Sequence, residues 1–202
     1  MMDDALIIFI KNPVEGTVKT RLAKDIGNSQ ALMIYKYLLA HTRNISCSIQ
    51  ANRLLFYADA LPIRDEWLEN DFAKLLQTGE DLGSRMFNAF QTAANKGNSR
   101  IIIIGSDCIQ LTAELITKAF SELQTHDFVI GPAKDGGYYL LGMKCPEKRL
   151  FKNKRWSTHT VFNDTIADIK AMSKSVFVLP LLSDIDTFAD LNKELLDLIS
   201  IP

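Results

Sequence analysis

Three well-separated segments carry carboxylates and cations of the kind that handle a phosphorylated substrate. The sharpest is Ile101-Ile102-Ile103-Ile104-Gly105-Ser106-Asp107-Cys108. Four β-branched apolar residues predict a strand buried on both faces, and Gly105 lets the backbone turn after it. Asp107 is thereby delivered to the carboxyl end of a central strand, where open α/β sheets bind ligands. A carboxylate there is costly unless a cation meets it, which suggests a metal ion or a tightly hydrogen-bonded partner. The alternative is that Asp107 caps the helix starting near Thr112, or only shapes the loop. Leu182-Ser183-Asp184-Ile185-Asp186-Thr187 adds two carboxylates that can point the same way from an extended segment. Asp184 is read as a second metal ligand beside Asp107, completing an oxygen-rich Mg²⁺ or Mn²⁺ site with phosphate oxygens and waters. Asp186 is read as capping or support, the alternative for this segment being that Asp186 or Thr187 caps the C-terminal helix.

The cations lie in the first loop, Lys11-Asn12-Pro13-Val14-Glu15-Gly16-Thr17-Val18-Lys19-Thr20-Arg21-Leu22. At the end of a first strand, Lys11, Lys19, Arg21 and a backbone shaped by Pro13 and Gly16 can hold phosphates. The loop is neither GxGxxG nor GxxxxGK[ST], so the dinucleotide fingerprint and the P-loop are both missing. Asp135-Gly136-Gly137-Tyr138-Tyr139 reads as a tight turn opening a hairpin, with glycines that let a ligand approach backbone. Asp135, Gly136, Gly137 and Tyr138 are therefore candidate donor or acceptor contacts. The two tyrosines should face opposite sides of their strand. In the segment from Gln77 to Arg85, Gln77, Gly79 and Asp81 could seat a base or ribose, or serve only as loop and helix cap.

These residues need a scaffold of alternating strands and helices, and the chain supplies one. Strands are expected at residues 5–10, 53–58, 75–77, 101–105, 128–131, 138–142 and 176–179. Helices are expected at residues 29–42 (capped by Ser29), 81–94, 112–123, 158–172 and 187–199. That alternation predicts a mainly parallel sheet with helices on both faces. Strand 138–142 is expected to return antiparallel after the Gly136-Gly137 turn. At 202 residues, with no composition shift, a single domain is expected.

Global charge narrows the function classes. Lys+Arg number 23 against Asp+Glu 24, so there is no basic field for nucleic acid. Three cysteines and three histidines are scattered without metal-ligand spacing, as expected for reduced thiols in a cytoplasmic protein. The first apolar run is too short for a signal peptide or membrane span. Residues 151–162 are read as an exposed apolar surface for a homodimer or an acceptor, with Trp156 assigned to packing.

Taken in order, these motifs resemble a known family: Phe9 to Pro13, Gly16 to Leu22, Gly105 to Cys108, Gly131 to Gly142, Trp156-Ser157-Thr158, and Asp184 to Thr187. They are similar to the radical-SAM/selenodomain-associated transferases of type 1. Those are glycosyltransferase-like proteins of the GT-A nucleotide-diphospho-sugar transferase superfamily, akin to molybdenum-cofactor and phospholactate guanylyltransferases. The resemblance implies a three-layer α/β/α sandwich, phosphate binding by the first-loop cations, and Asp107 as the metal aspartate of a reduced DxD motif. One departure is that Ile109-Gln110 stand where the family usually has proline. The expected activity is metal-dependent transfer from a nucleotide sugar to a small-molecule acceptor, with Lys19, Asp107 and Asp135 catalytic and Asp135 a candidate general base. Nucleotidyl transfer from a nucleoside triphosphate is the alternative, and a non-catalytic nucleotide-binding protein is a third reading.

Overall fold

The apolar runs assemble into one seven-stranded sheet in the computed structural model, which describes residues 3–199. In chain order the elements are β1 (Asp4–Ile10), α1 (Thr20–Ile26), α2 (Asn28–Cys47), β2 (Asn52–Tyr57), β3 (Ala73–Leu76), α3 (Leu82–Asn95) and β4 (Arg100–Ile104). There follow α4 (Ala113–Glu122), β5 (Phe128–Pro132), β6 (Tyr138–Met143), α5 (Val161–Ala171), β7 (Val176–Val178) and α6 (Lys193–Ile199). Short 3₁₀ turns occupy Lys148–Phe151 and Phe188–Asp190. The strand order is β3-β2-β1-β4-β6-β5-β7. Only β6 runs against its neighbours, pairing antiparallel with both β4 and β5. The mainly parallel sheet and the returning hairpin strand are thus as the sequence predicts.

Side-chain alternation divides the core into two faces. Ala5, Ile7, Ile101 and Ile103 face α3 and α5, whereas Leu6, Ile8, Ile102 and Ile104 face α2 and α4. All are at most 4% exposed, so β1 and β4 are buried on both sides. Each of the leucine and isoleucine side chains among them stabilises the fold by about 1.5–3 kcal/mol. The far side of α2 packs through Ile34 and Leu38 on Leu22 of α1 and Leu195 of α6. The result is an α/β/α sandwich with an extra helical layer outside α2.

Four local expectations are corrected. First, α1 was not anticipated. Its seven residues include Leu22, which is fully buried and anchors it. Second, Ser29 does not cap α2. The helix starts one residue earlier, at Asn28, after Gly27 at φ 83°, which also ends α1. Third, the C-terminal helix is not continuous. The backbone N–H and hydroxyl of Thr187 both donate to Asp190 Oδ2 (2.7 and 2.8 Å), closing a 3₁₀ turn, and the Asn192 carboxamide then accepts from Leu195 N at 3.0 Å to start α6. Fourth, residues 151–162 are not an open apolar face. Phe151 and Val161 are buried, and the Phe151 ring packs at a tilt against Phe87 and Phe90 of α3. Among the described residues, no helix is long and apolar enough to cross a membrane.

Candidate active site

Ile8 of β1 lies opposite Ile104 of β4 in a parallel ladder, so both strands deliver their following loops to one sheet edge. β2 and β3 lie on one side of β1 and β4 on the other, making this the topological switch point where α/β sheets bind ligands. A cavity of about 620 Å³ opens there, within the range of small-molecule sites. Of the residues singled out from sequence, Lys11, Lys19, Arg21, Gln77, Asp107, Asp135, Gly137, Tyr138 and Asp184 line it.

The cavity holds an ion-pair network around one buried lysine. Lys19 Nζ is 2.6 Å from Asp107 Oδ1 and 3.4 Å from Asp186 Oδ1, with its side chain only 5% exposed. Its backbone is left-handed (φ 47°, ψ 41°), a conformation that costs a non-glycine residue energy and that clusters at functional sites. Arg21 Nη1 is 3.6 Å from Asp186 Oδ2, but 65% of its side chain is in solvent. Asp186 is therefore a partner of the first-loop cations, which corrects its reading as a helix cap. Thr187 and Asp190 close the 3₁₀ turn instead, and Asn192 caps α6.

The segments bearing Asp107 and Asp184 are stitched together by backbone. Ile185 N donates to the Asp107 carbonyl at 2.9 Å, and Ser183 N donates to Gln110 Oε1 at 2.9 Å. Gln110, the departure from the family pattern, thus ties the two acidic segments together. Burial, then the charges of Asp107, Asp135 and Asp186, pushes the Asp184 carboxyl up to about 7, with Lys19 opposing. Excess negative charge on hard oxygen donors suits a divalent cation such as Mg²⁺. Among the described residues, no group of three or more His, Cys, Asp or Glu side chains is arranged to close around a metal ion alone. The donor set fits a cation that shares its shell with substrate phosphates and water, the usual habit of Mg²⁺.

The loop after β1 is fixed by Tyr35, a residue on the buried face of α2. Tyr35 Oη accepts from Lys11 N at 2.9 Å and donates to the Lys11 carbonyl at 3.1 Å, while burial pushes its pKa up to about 12. A tyrosine on the apolar face of a helix needs a partner for its hydroxyl, and that was the available signal. Gln77 Nε2 donates to the carbonyls of Ile10 (3.3 Å) and Phe56 (3.2 Å), tying together the ends of β1 and β2. Gly16, Gly79 and Asp81 do not line the cavity. Gly16 (φ 78°) shapes the exposed first loop, the Gly79 carbonyl accepts from Arg85 Nε at 3.1 Å, and Asp81 caps α3 by accepting from Ser84 N at 2.7 Å.

Asp135 Oδ1 accepts from Gly137 N at 2.8 Å, which holds the turn before β6. Gly136 lies outside the lining and has a packing task. A Cβ there would fall 2.1 Å from the His159 carbonyl oxygen. Tyr138 packs on the α3 side and Tyr139 on the opposite side, as strand alternation requires. Lining residues that the sequence did not put among the site candidates include Tyr35 and Arg85, together with Trp156, Ser157 and Thr158, which it gave only as a motif. Trp156 packs on Gly83, where any Cβ would come within 2.6 Å of the indole, and it also forms wall.

A family profile described as "Uncharacterized protein conserved in bacteria (DUF2064)" matches residues 42–158. The search of curated proteins finds no match. Among solved structures, the chain is similar to a protein from Desulfovibrio desulfuricans G20 provisionally described as a nucleotide-diphospho-sugar transferase. Identity is 31%, TM-score 0.88, with 98% of this chain and 97% of that chain covered. It shares its fold with the inositol-1-phosphate CTP transferase from T. maritima (14% identity, TM-score 0.53, 98% and 95% covered). The same holds for 4-diphosphocytidyl-2C-methyl-D-erythritol synthase from Anaerococcus prevotii DSM 20548 (12% identity, TM-score 0.54, 98% and 94% covered). With a profile match over more than half its length, the chain belongs to the DUF2064 family, on the fold of the nucleotide-diphospho-sugar transferases.

Proposed function

We propose that the protein is a metal-dependent transferase that moves a glycosyl group from a nucleotide-diphospho-sugar to a small-molecule hydroxyl. The observation that carries this reading is the seating of Lys19 between Asp107 and Asp186, beside the uncompensated Asp184, in a cavity at the switch point. Asp107 and Asp184 would hold Mg²⁺ or Mn²⁺, which supplies positive charge to the diphosphate oxygens. A diphosphate carries more charge than one divalent ion cancels, so Lys19, Lys11 and Arg21 supply the remainder from the first loop. As the acceptor oxygen bonds to the anomeric carbon, the bond from that carbon to the phosphate oxygen breaks, and negative charge grows on the departing nucleoside diphosphate. Lys19 is enclosed and therefore prepositioned for that charge. Asp135, in the segment that pairs with Leu182 beside Asp184, is the candidate base for the acceptor proton.

The relative at 31% identity, provisionally described as a nucleotide-diphospho-sugar transferase, supports the transferase reading; placement in the type-1 radical-SAM/selenodomain-associated branch rests on the order of the sequence motifs alone. Product release tests it. Nucleotide sugars supplied with Mn²⁺ and a panel of sugar and polyol acceptors should yield nucleoside diphosphate. Pyrophosphate released from nucleoside triphosphates instead would replace glycosyl by nucleotidyl transfer. Tight nucleotide binding with neither product would make the protein a sensor.

A further inference from the structure

We propose that the Lys19 ammonium is a resident counter-cation that holds the place of the metal at Asp107, so that metal and nucleotide each strengthen the other's binding. The proposal rests on the metal reading above and goes beyond it in stating how the free protein stores the site. Three observations carry it. The ammonium lies against the Asp107 carboxylate at 2.6 Å, while that carboxylate remains 46% exposed towards the cavity. A solution cation can reach Asp107, but the oxygen that Lys19 contacts is already taken. The Lys19 side chain is itself 5% exposed and rises from a left-handed residue, so the chain accepts backbone strain to deliver a buried charge to this point. Finally, Asp186 offers a second carboxylate 3.4 Å from the same nitrogen. Lys19 can therefore release Asp107 without being stranded unpaired in the interior.

A divalent ion and an ammonium on neighbouring oxygens of one carboxylate repel each other strongly in a partly buried site. A metal arriving alone can shift Lys19 only as far as Asp186, which leaves both cations crowded beside the same carboxylates. A nucleoside diphosphate changes this, because its oxygens accept the ammonium as Asp107 is vacated. Each ligand then strengthens the other, by equal factors, since coupling between binding sites is reciprocal. Arg21 cannot act in the same way. It faces solvent, and its ion pair among the described residues is with Asp186, at 3.6 Å.

The test is Mn²⁺ binding to the full chain, followed by electron paramagnetic resonance with free Mn²⁺ clamped by a metal buffer. Without nucleotide, Lys19→Met should bind Mn²⁺ about tenfold or more tighter than the unsubstituted protein, within the range of allosteric couplings. Arg21→Met removes a nearby charge that does not occupy Asp107 and should change affinity by less than about threefold, as for an exposed pair. Adding Asp107→Asn to Lys19→Met should erase the gain. The second measurement needs no substitution. In the unsubstituted protein, the best of ADP, GDP, CDP and UDP should tighten Mn²⁺ binding by about tenfold or more. Equal Mn²⁺ affinity for the unsubstituted and Lys19→Met proteins, with no nucleotide effect, overturns the place-holding role and leaves the metal reading standing. No Mn²⁺ binding in any variant, with or without nucleotide, overturns both.

Discussion

Lys19 and Arg21 are two residues apart in sequence and occupy different electrostatic environments, 5% and 65% exposed. If both serve the donor's phosphates, their contributions should respond differently to salt. Lys19→Ala should weaken nucleoside diphosphate binding about 10- to 100-fold, the worth of a hydrogen bond to a charged group, and leave binding of the uncharged nucleoside unchanged. That loss should persist from low salt to about 0.5 M, because an enclosed charge is poorly screened. Arg21→Ala should cost only a few-fold at low salt and about nothing at 0.5 M. Calorimetric titration of both ligands at two salt concentrations checks this; equal losses for nucleoside and diphosphate would mean that Lys19 serves packing. Asp107→Asn should remove the strengthening of nucleotide binding by Mn²⁺ while the circular dichroism spectrum stays unchanged. Unaltered metal dependence would take Asp107 out of the ligand set. Asp107 was legible because four isoleucines announce a buried strand with the carboxylate just past its end. Asp186 was not, because its partner Lys19 is 167 residues away and nothing local to either residue announces the other.

Between the two walls of the cavity, the placement of whole elements depends on a few backbone positions. Gly136 sits at φ 90° with the His159 carbonyl oxygen 2.1 Å from where a Cβ would stand, and its own carbonyl accepts from Phe162 N at 2.8 Å. Gly136→Ala should therefore cost about 2–4 kcal/mol and shift the loop that carries Trp156 to Thr158. Gly97→Ala is the control: its φ is 87° with nothing within 4 Å, so only the left-handed penalty of about 1–2 kcal/mol applies. Urea midpoints of the two variants decide it, and equal losses would show that the contact with His159 carries no cost. At the far edge of the sheet, β7 is held to β5 by Asp127. Its carboxylate accepts from Ser175 N at 2.9 Å and from the Ser175 hydroxyl at 2.8 Å, with Lys174 at 3.2 Å. The Ser175 backbone N–H, then its hydroxyl, brings the Asp127 pKa down to about 2. A carboxyl with a depressed pKa stabilises the fold above its unfolded value near 4 and loses that contribution as pH falls towards 2. Because the group is largely exposed, screening limits the effect to about 1 kcal/mol or less. Asp127→Asn should be less stable than the unsubstituted protein at pH 7 and equal to it near pH 2. A difference that persists unchanged at pH 2 would assign the effect to geometry rather than charge. The edge strand itself was expected from its apolar triplet; the carboxylate that anchors it was not, because its hydrogen bonds go to a serine 48 residues on.

For the whole molecule, the proposed activity predicts linkage between ligand and fold. A nucleotide sugar with Mn²⁺ at about a hundredfold over its Kd should add about 2.7 kcal/mol of stability. For a chain of this size that is a rise in melting temperature of about 5–10 °C. Mn²⁺ alone should produce only a small part of it; a full shift with metal alone would contradict coupled binding. The sequence by itself determined the sheet and its direction. Apolar runs with strand periodicity, separated by helical segments, leave few other ways to bury Ile101 to Ile104 and Ala5 to Ile8 on both faces. It also determined which loops carry cations and carboxylates, and parallel pairing then put those after β1 and β4 at one edge. What only the tertiary structure decided is which charge meets which. Lys19 sits on Asp107 and Asp186, Gln110 fastens the two acidic segments, Tyr35 pins Lys11, and Trp156 forms wall against Gly83. Burial patterns repeat every two or 3.6 residues and can be read locally. An ion pair or hydrogen bond between segments far apart in the chain leaves no such period, and is fixed only when packing brings the two ends of the chain together.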